Sequence, residues 1–238
     1  RHFGAGRFHF ALLRWGNLDV IQGPLKATAV VPDEENPFHV LYGRDENEQI
    51  LFMPANMSTQ DFQALAKKYA QHHRSAATTT LLFSRNAGLL SALPDFFTRA
   101  AEVMEYTVVI GHHQSGFLTG SPGPGMTRHL STSTLKRLEH FVTDCNTRML
   151  KDAFVALAID WDRERLPQMY AATMVQQLVH LVLTARPVSG QQQDAIAREV
   201  RELLSSASSY GDLMASLASP YQPWEDQEAK CKAMNEAK

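Results

Sequence analysis

Two clusters of side chains in this sequence have the types and spacing for chemistry. Asp45, Glu46 and Glu48, separated only by Asn47, gather carboxylates of the kind that hard divalent cations prefer. Gly111-His112-His113-Gln114-Ser115-Gly116 offers adjacent imidazoles suited to general-base work or metal ligation, with a hydroxyl close by. Were both loops to meet at one edge of a sheet, Asp45, Glu46, Glu48, His112 and His113 would describe a small-molecule enzyme of lyase or isomerase type using a divalent metal. Against that reading, neighbouring histidines seldom reach the same ion, and no His-Glu-x-x-His pattern supplies a further ligand. His72-His73 falls at the end of a predicted helix, where the helix dipole accounts for it. The run Gly120-Ser121-Pro122-Gly123-Pro124-Gly125 has the glycines of a phosphate loop without its Gly-Lys-Ser/Thr ending, and its prolines remove backbone donors; it reads as a stiff linking turn.

The acidic loop, followed by Ile50-Leu51-Phe52-Met53-Pro54-Ala55 and a capped helix at Ser58, resembles the acidic, metal-binding loop of the dihydroxybutanone phosphate synthases. Those enzymes use such carboxylates with magnesium to rearrange a pentulose phosphate, and Thr119-Gly120 is similar to part of their later phosphate loop. The chain departs from that family in lacking the downstream Gly-His-Thr motif and in turning helical where the family continues its sheet. No cofactor or metal is therefore carried over from the resemblance.

Bulk properties narrow the function classes. With 238 residues, 44% apolar and 20% charged, the chain can bury a large core, and its net charge of −2 gives no broad basic surface, so nucleic acid is not an expected partner. A basic arm carrying Arg1, Arg7, Arg14 and Lys26 precedes the acidic stretch; it alone would favour an RNA-binding scaffold. The basic, acid-free Arg1-His2-Phe3-Gly4-Ala5-Gly6-Arg7 is of the kind left by cleavage of an organellar presequence, which sets the expectation of a mitochondrial protein, or otherwise of an intracellular soluble one. Cys145 on an apolar helix face and Cys231 in a polar tail make no disulfide framework, in keeping with a reducing compartment. The uncharged segment 168–185 contains Gln176, Gln177 and His180 and reads as a buried or interfacial helix rather than a membrane span.

The elements that must position these groups fall into two halves. Strands are predicted over 8–13, 26–31, 38–42 and 49–53, with 42–49 as a hairpin loop. A helix capped at Ser58 runs to His73; a strand follows over 78–83, a helix over 87–104 that Pro94 should kink or split, and a strand over 106–110. This alternation predicts crossover connections and an α/β or α+β region over 1–125, built on a small mixed or parallel sheet. The histidine loop is then placed at the carboxyl end of a strand, where open α/β sheets bind ligands. After a Gly/Pro/Ser-rich loop over 111–132, residues 126–220 read as helical, and 221–238 as a polar tail that Trp224 could pin back onto the body. One long helix is predicted from Ser133 or Thr134 to about Asp160, then helices over 168–185, around Ile196 to Leu204, and around Leu213 to Leu217.

These helical seams expose more apolar surface than one small domain covers, with Leu135, Leu138, Val142, Met149, Met174 and Leu178 as the expected interface positions. The function expected from the sequence is thus a non-catalytic structural or accessory subunit of a larger assembly. The kind in view is a mitochondrial ATP synthase or respiratory-chain complex, with other protein subunits as partners and any membrane association peripheral.

Overall fold

A computed structural model describes residues 6–18, 29–30 (backbone only), 37–74, 77–119, 128–185 and 189–218. It divides the chain into two compact units, Arg1–Pro124 and Gly125–Lys238. Arg1, Lys26, the Gly120–Gly125 turn, Trp224, Cys231 and the 221–238 tail lie outside the described residues.

Residues 7–15, Arg-Phe-His-Phe-Ala-Leu-Leu-Arg-Trp, carry apolar side chains in both phases of the strand alternation, the pattern of a strand covered on both faces. They form the central strand β1 (Arg7–Trp15), buried from Phe8 onward. Strand β2 is Ala29–Val30, the described part of the strand predicted over 26–31; β3 is His39–Tyr42 and β4 is Glu48–Pro54. Helix α1 (Thr59–His73) leads to β5 (Thr79–Phe83), and the short β6 (Gly88–Leu89) precedes α2 (Leu93–Glu105) and β7 (Gln114–Phe117). The sheet order is β2-β3-β4-β1-β5-β7, with β6 paired to the first residues of β1. β1 is antiparallel to both β4 and β5, and β5 is parallel to β7, so β4, β5 and β7 point the same way. This is an α+β fold on a mixed sheet.

Period-two alternation sends the two sets of side chains to opposite helices. Ala11, Leu13, Leu51, Leu81 and Phe83 pack with Phe62, Ala66 and Tyr69 of α1. Phe10, Leu12, Phe52 and Leu82 pack with Phe96, Ala100 and Met104 of α2. The two crossovers, β4 to β5 over α1 and β5 to β7 over α2, step the same way along the sheet but over opposite faces. They are therefore of opposite hand, and one belongs to the rare left-handed class.

The caps explain the helix boundaries. Ser58 Oγ accepts from the Asp61 N–H at 3.1 Å, as the sequence predicts. Pro94 sits in the first turn of α2, where no backbone donor is needed, so it starts the helix rather than kinking it; β6 and a 3-10 turn, Leu90–Ala92, occupy the residues predicted as helix before it. The strand predicted over 106–110 is not one. Val108, Val109 and Ile110 are buried in the turn that leaves α2, and the strand that pairs with β5 is Gln114–Phe117.

The described residues of the second unit form α3 (Thr132–Thr143), α4 (Thr147–Arg163), α5 (Gln168–Ala185), α6 (Gly190–Ser206) and α7 (Tyr210–Ala218). Its principal helix contacts close a ring in the order α3-α4-α7-α6-α5. The single long helix predicted from Ser133 to Asp160 is two helices. Cys145 takes φ 54°, Asn146 N–H donates to the Phe141 carbonyl at 2.8 Å and Cys145 N–H to the Val142 carbonyl at 3.2 Å, a Schellman termination of α3. Asn146 then caps α4 by accepting from the Met149 N–H at 3.1 Å. The same motif ends α4 at Arg165, φ 48°, with Leu166 N–H on the Trp161 carbonyl at 2.9 Å. Among the described residues no helix is long and apolar enough to cross a membrane.

Candidate functional site

Two of the carboxylates singled out in the sequence, Asp45 and Glu48, are held by cations of the same chain. Glu48 is fully buried at the start of β4. Its Oε2 lies 2.8 Å from Arg44 Nη2 and 3.7 Å from Arg14 Nη1, and Asp45 Oδ2 accepts from Arg14 Nη1 at 2.7 Å. Arg44 also reaches Glu105, the last residue of α2, at 3.2 Å, so the network ties the β3–β4 turn to that helix. Burial opposes the charge on Arg44, but hydrogen bonds and charge from Glu48, with Glu105 and Asp45 behind, outweigh it and hold the guanidinium pKa above its ordinary value. Gly43 is required by this arrangement, since a Cβ there would stand 2.5 Å from Glu48 Oε1. Arg14, read in the sequence as part of a basic arm, is 1% exposed and spent inside this network rather than presented to RNA.

The two loops do not converge on a metal. Glu48, Arg14, Thr80 and Gln114 are successive cross-strand neighbours, so three strand spacings, about 14 Å, separate the acidic turn from the start of β7. Glu46 is exposed, and its carbonyl is 3.5 Å from Arg74. His113 Nδ1 accepts from the Thr79 N–H at 3.0 Å, while His112 is half-buried with its N–H on the Val109 carbonyl at 3.2 Å. Because the edge strand starts at Gln114, both histidines lie at the amino ends of the parallel strands, opposite to the placement expected for a ligand loop. Among the described residues no three His, Cys, Asp or Glu side chains form a metal-holding group. The carboxyl ends instead approach His9, which the sequence reading passed over: it is 4% exposed, stacks on Phe62, and has Nε2 3.1 Å from the Met57 carbonyl.

The expected interface positions are mostly interior. Leu138, Val142, Met174 and Leu178 are buried within the helical unit. Leu135 is half-buried, lining an α3–α5 groove of about 700 Å³ together with Lys136, Glu139, Gln176 and His180. Only Met149, 42% exposed, is open to solvent.

The apolar surface lies one stripe further round α4. Leu150, Phe154, Ala158 and Trp161 face inward, and Val155 and Ile159, four residues apart, stand 57% and 60% exposed. With Phe154, Ala158 and Met214, Ala215 and Ala218 of α7 they line a groove of about 760 Å³. Lys151 marks one end and Asp162 and Arg163 the other. Covering the exposed portions of Val155 and Ile159 is worth roughly 1–1.5 kcal/mol each. The sequence held the signal, Val155 and Ile159 at helical spacing beside a separate buried row, but reading α3 and α4 as one helix blurred the two stripes. Chemically this groove offers apolar contact between charged ends. Comparison with protein-family models, with curated proteins and with solved structures finds no match to this chain.

Proposed function

We propose that this protein is a non-catalytic structural or accessory subunit of a larger assembly, bound to its neighbours through the α4–α7 face. The observation that carries the reading is the pair Val155 and Ile159, more than half exposed over an apolar groove. The one charged cluster that resembled a catalytic site supports the same reading from the other side, because Asp45 and Glu48 pair with Arg14 and Arg44 and tie the fold together. A central apolar anchor lost from an interface costs about 2 kcal/mol or more. Val155→Asp with Ile159→Asp is therefore expected to leave the fold intact and to move the protein from a high-mass fraction to its own mass in gently prepared extracts. Migration of the unaltered protein at 26.6 kDa in such extracts would refute the proposal.

A further inference from the structure

We infer that the partner on the α4–α7 face is a second copy of this chain, with the two α4 helices antiparallel about a two-fold axis level with Leu157. The inference rests on the reading of this face as an interface and adds the identity of what covers it. A two-fold interface uses one patch twice, so the patch must complement itself after half a turn. The charges along α4 meet that condition. Lys151 and Asp162 are eleven residues apart, as are Asp152 and Arg163, and eleven residues are about three helical turns. Each pair therefore shares one stripe of the helix, with a base at one end and an acid at the other, and the two stripes carry their charges in opposite order. Parallel pairing of two copies would set like charge against like. Antiparallel pairing sets Lys151 against Asp162 of the second copy and Asp152 against its Arg163, each contact being made twice. Asp152 is exposed, and so is Arg163, which holds Asp160 of its own helix at 2.7 Å in a solvated pairing that it can share.

The apolar surface has the same symmetry. The axis passes midway between Val155 and Ile159, so each residue meets the other one of the second copy, and the exposed pair is covered by an identical pair. Beside this ridge the groove lining includes small residues, Ala158 on α4 and Gly211, Ala215 and Ala218 on α7, which leave room for the ridge of the second copy. Both ridge residues are β-branched, so little χ1 freedom is lost when they seat. A different polypeptide would have to bring an acid, two apolar residues and a base at matching intervals; a second copy supplies them by symmetry.

The test is the mass of the purified full chain by sedimentation equilibrium at micromolar concentration. The unaltered protein is expected at twice 26.6 kDa, and Val155→Asp with Ile159→Asp at 26.6 kDa. Lys151→Glu alone and Asp162→Lys alone each set like charges against one another twice in a dimer, and each should weaken association by about tenfold or more. Mixing these two variants should restore it, because both contacts in the mixed dimer again join opposite charges; both substitutions in one chain should do the same. Circular dichroism checks that every variant is folded. A purified protein that stays at 26.6 kDa overturns the inference; if it still enters a high-mass fraction in gentle extracts, the assembly reading stands and a different polypeptide covers the face. A dimer that survives Val155→Asp with Ile159→Asp overturns it too, as does one that either charge reversal leaves unchanged or that does not recover on mixing. A dimer found both in the purified protein and in extracts, with no larger species, supports the inference and leaves the larger assembly unsupported.

Discussion

Arg14→Met separates a structural role of the buried carboxylates from a ligand-binding one. Arg14 Nη1 sits 2.7 Å from Asp45 and 3.7 Å from Glu48, and its side chain is 2% exposed. Methionine keeps much of the stem and removes the charge. Asp45, at 19% side-chain exposure, can turn to water, so its lost partner costs about 1 kcal/mol or less. Glu48 has no such exit. It retains Arg44 but loses its second cation in a site closed to solvent, and breaking a buried pair costs about 3–5 kcal/mol. With Arg44 still present the low end of that range, about 3 kcal/mol, is expected. Urea unfolding followed through Trp15, in a background with Trp161 and Trp224 changed to Phe, reads the N-terminal unit alone. At a slope of about 2 kcal/mol per molar, the midpoint should fall by about 1.5 M. Adding Glu48→Gln to Arg14→Met should recover about 1–2 kcal/mol, because the uncompensated charge is gone. A loss under about 1 kcal/mol, with no recovery in the double variant, would refute the reasoning and return Glu48 to the candidates for cation binding.

Three further outcomes are expected. Arg165→Gly, at an exposed helix end held at φ 48°, should stabilise the helical unit by about 0.5–1 kcal/mol, read by urea unfolding through Trp161 in a background with Trp15 and Trp224 changed to Phe; a loss would mean that the arginine side chain matters more than its backbone. Burial, with the charge of Tyr42 behind it, pushes the Tyr69 phenol up to about 12, so the neutral form is favoured in the fold. The stability it brings is complete below about pH 10 and is lost as pH rises toward that raised value; ultraviolet titration should find one of the six tyrosines ionising last, and Tyr69→Phe should remove that step. Burial lowers the His39 pKa beside the Phe52 ring, so its contribution is complete above about 6.5 and is lost as pH falls through the lowered value. His39→Asn should flatten this part of the stability profile between about pH 7.5 and 5, and an unchanged slope would count against the assignment.

The sheet was legible because its residues obey one periodicity at a time. Phe8 to Leu13 and Ile50 to Met53 are strands by composition, Ser58 and Asp61 announce α1, and the strand–helix alternation implies the crossovers. What escaped the sequence has specific causes. The breaks at Cys145 and Arg165 place ordinary side chains in the left-handed region that glycine normally marks, so no residue type signalled the end of α3. Val108-Val109-Ile110 are β-formers used to fill the turn beneath the sheet, and the true edge strand, Gln114-Ser115-Gly116-Phe117, is weakly β-forming and held in place by the parallel ladder to β5. The acidic turn looked like a ligand site because its partners, Arg14 on a neighbouring strand and Glu105 on α2, are remote in sequence. Likewise the helical seam Leu138 to Val142 is apolar whether it meets a partner or its own core; only the closed ring of helices assigns it to the core and leaves Val155 and Ile159 outside.

The most direct measurement of the central claim is a photo-activated cross-link from position 155 within the native extract. A photoreactive residue at Val155 is expected to give an adduct with one defined second polypeptide in the high-mass fraction, and the same residue at exposed Glu139 on α3 should not. Equal labelling at both positions, or only adducts within the chain itself, would contradict an assembly role for the α4–α7 face.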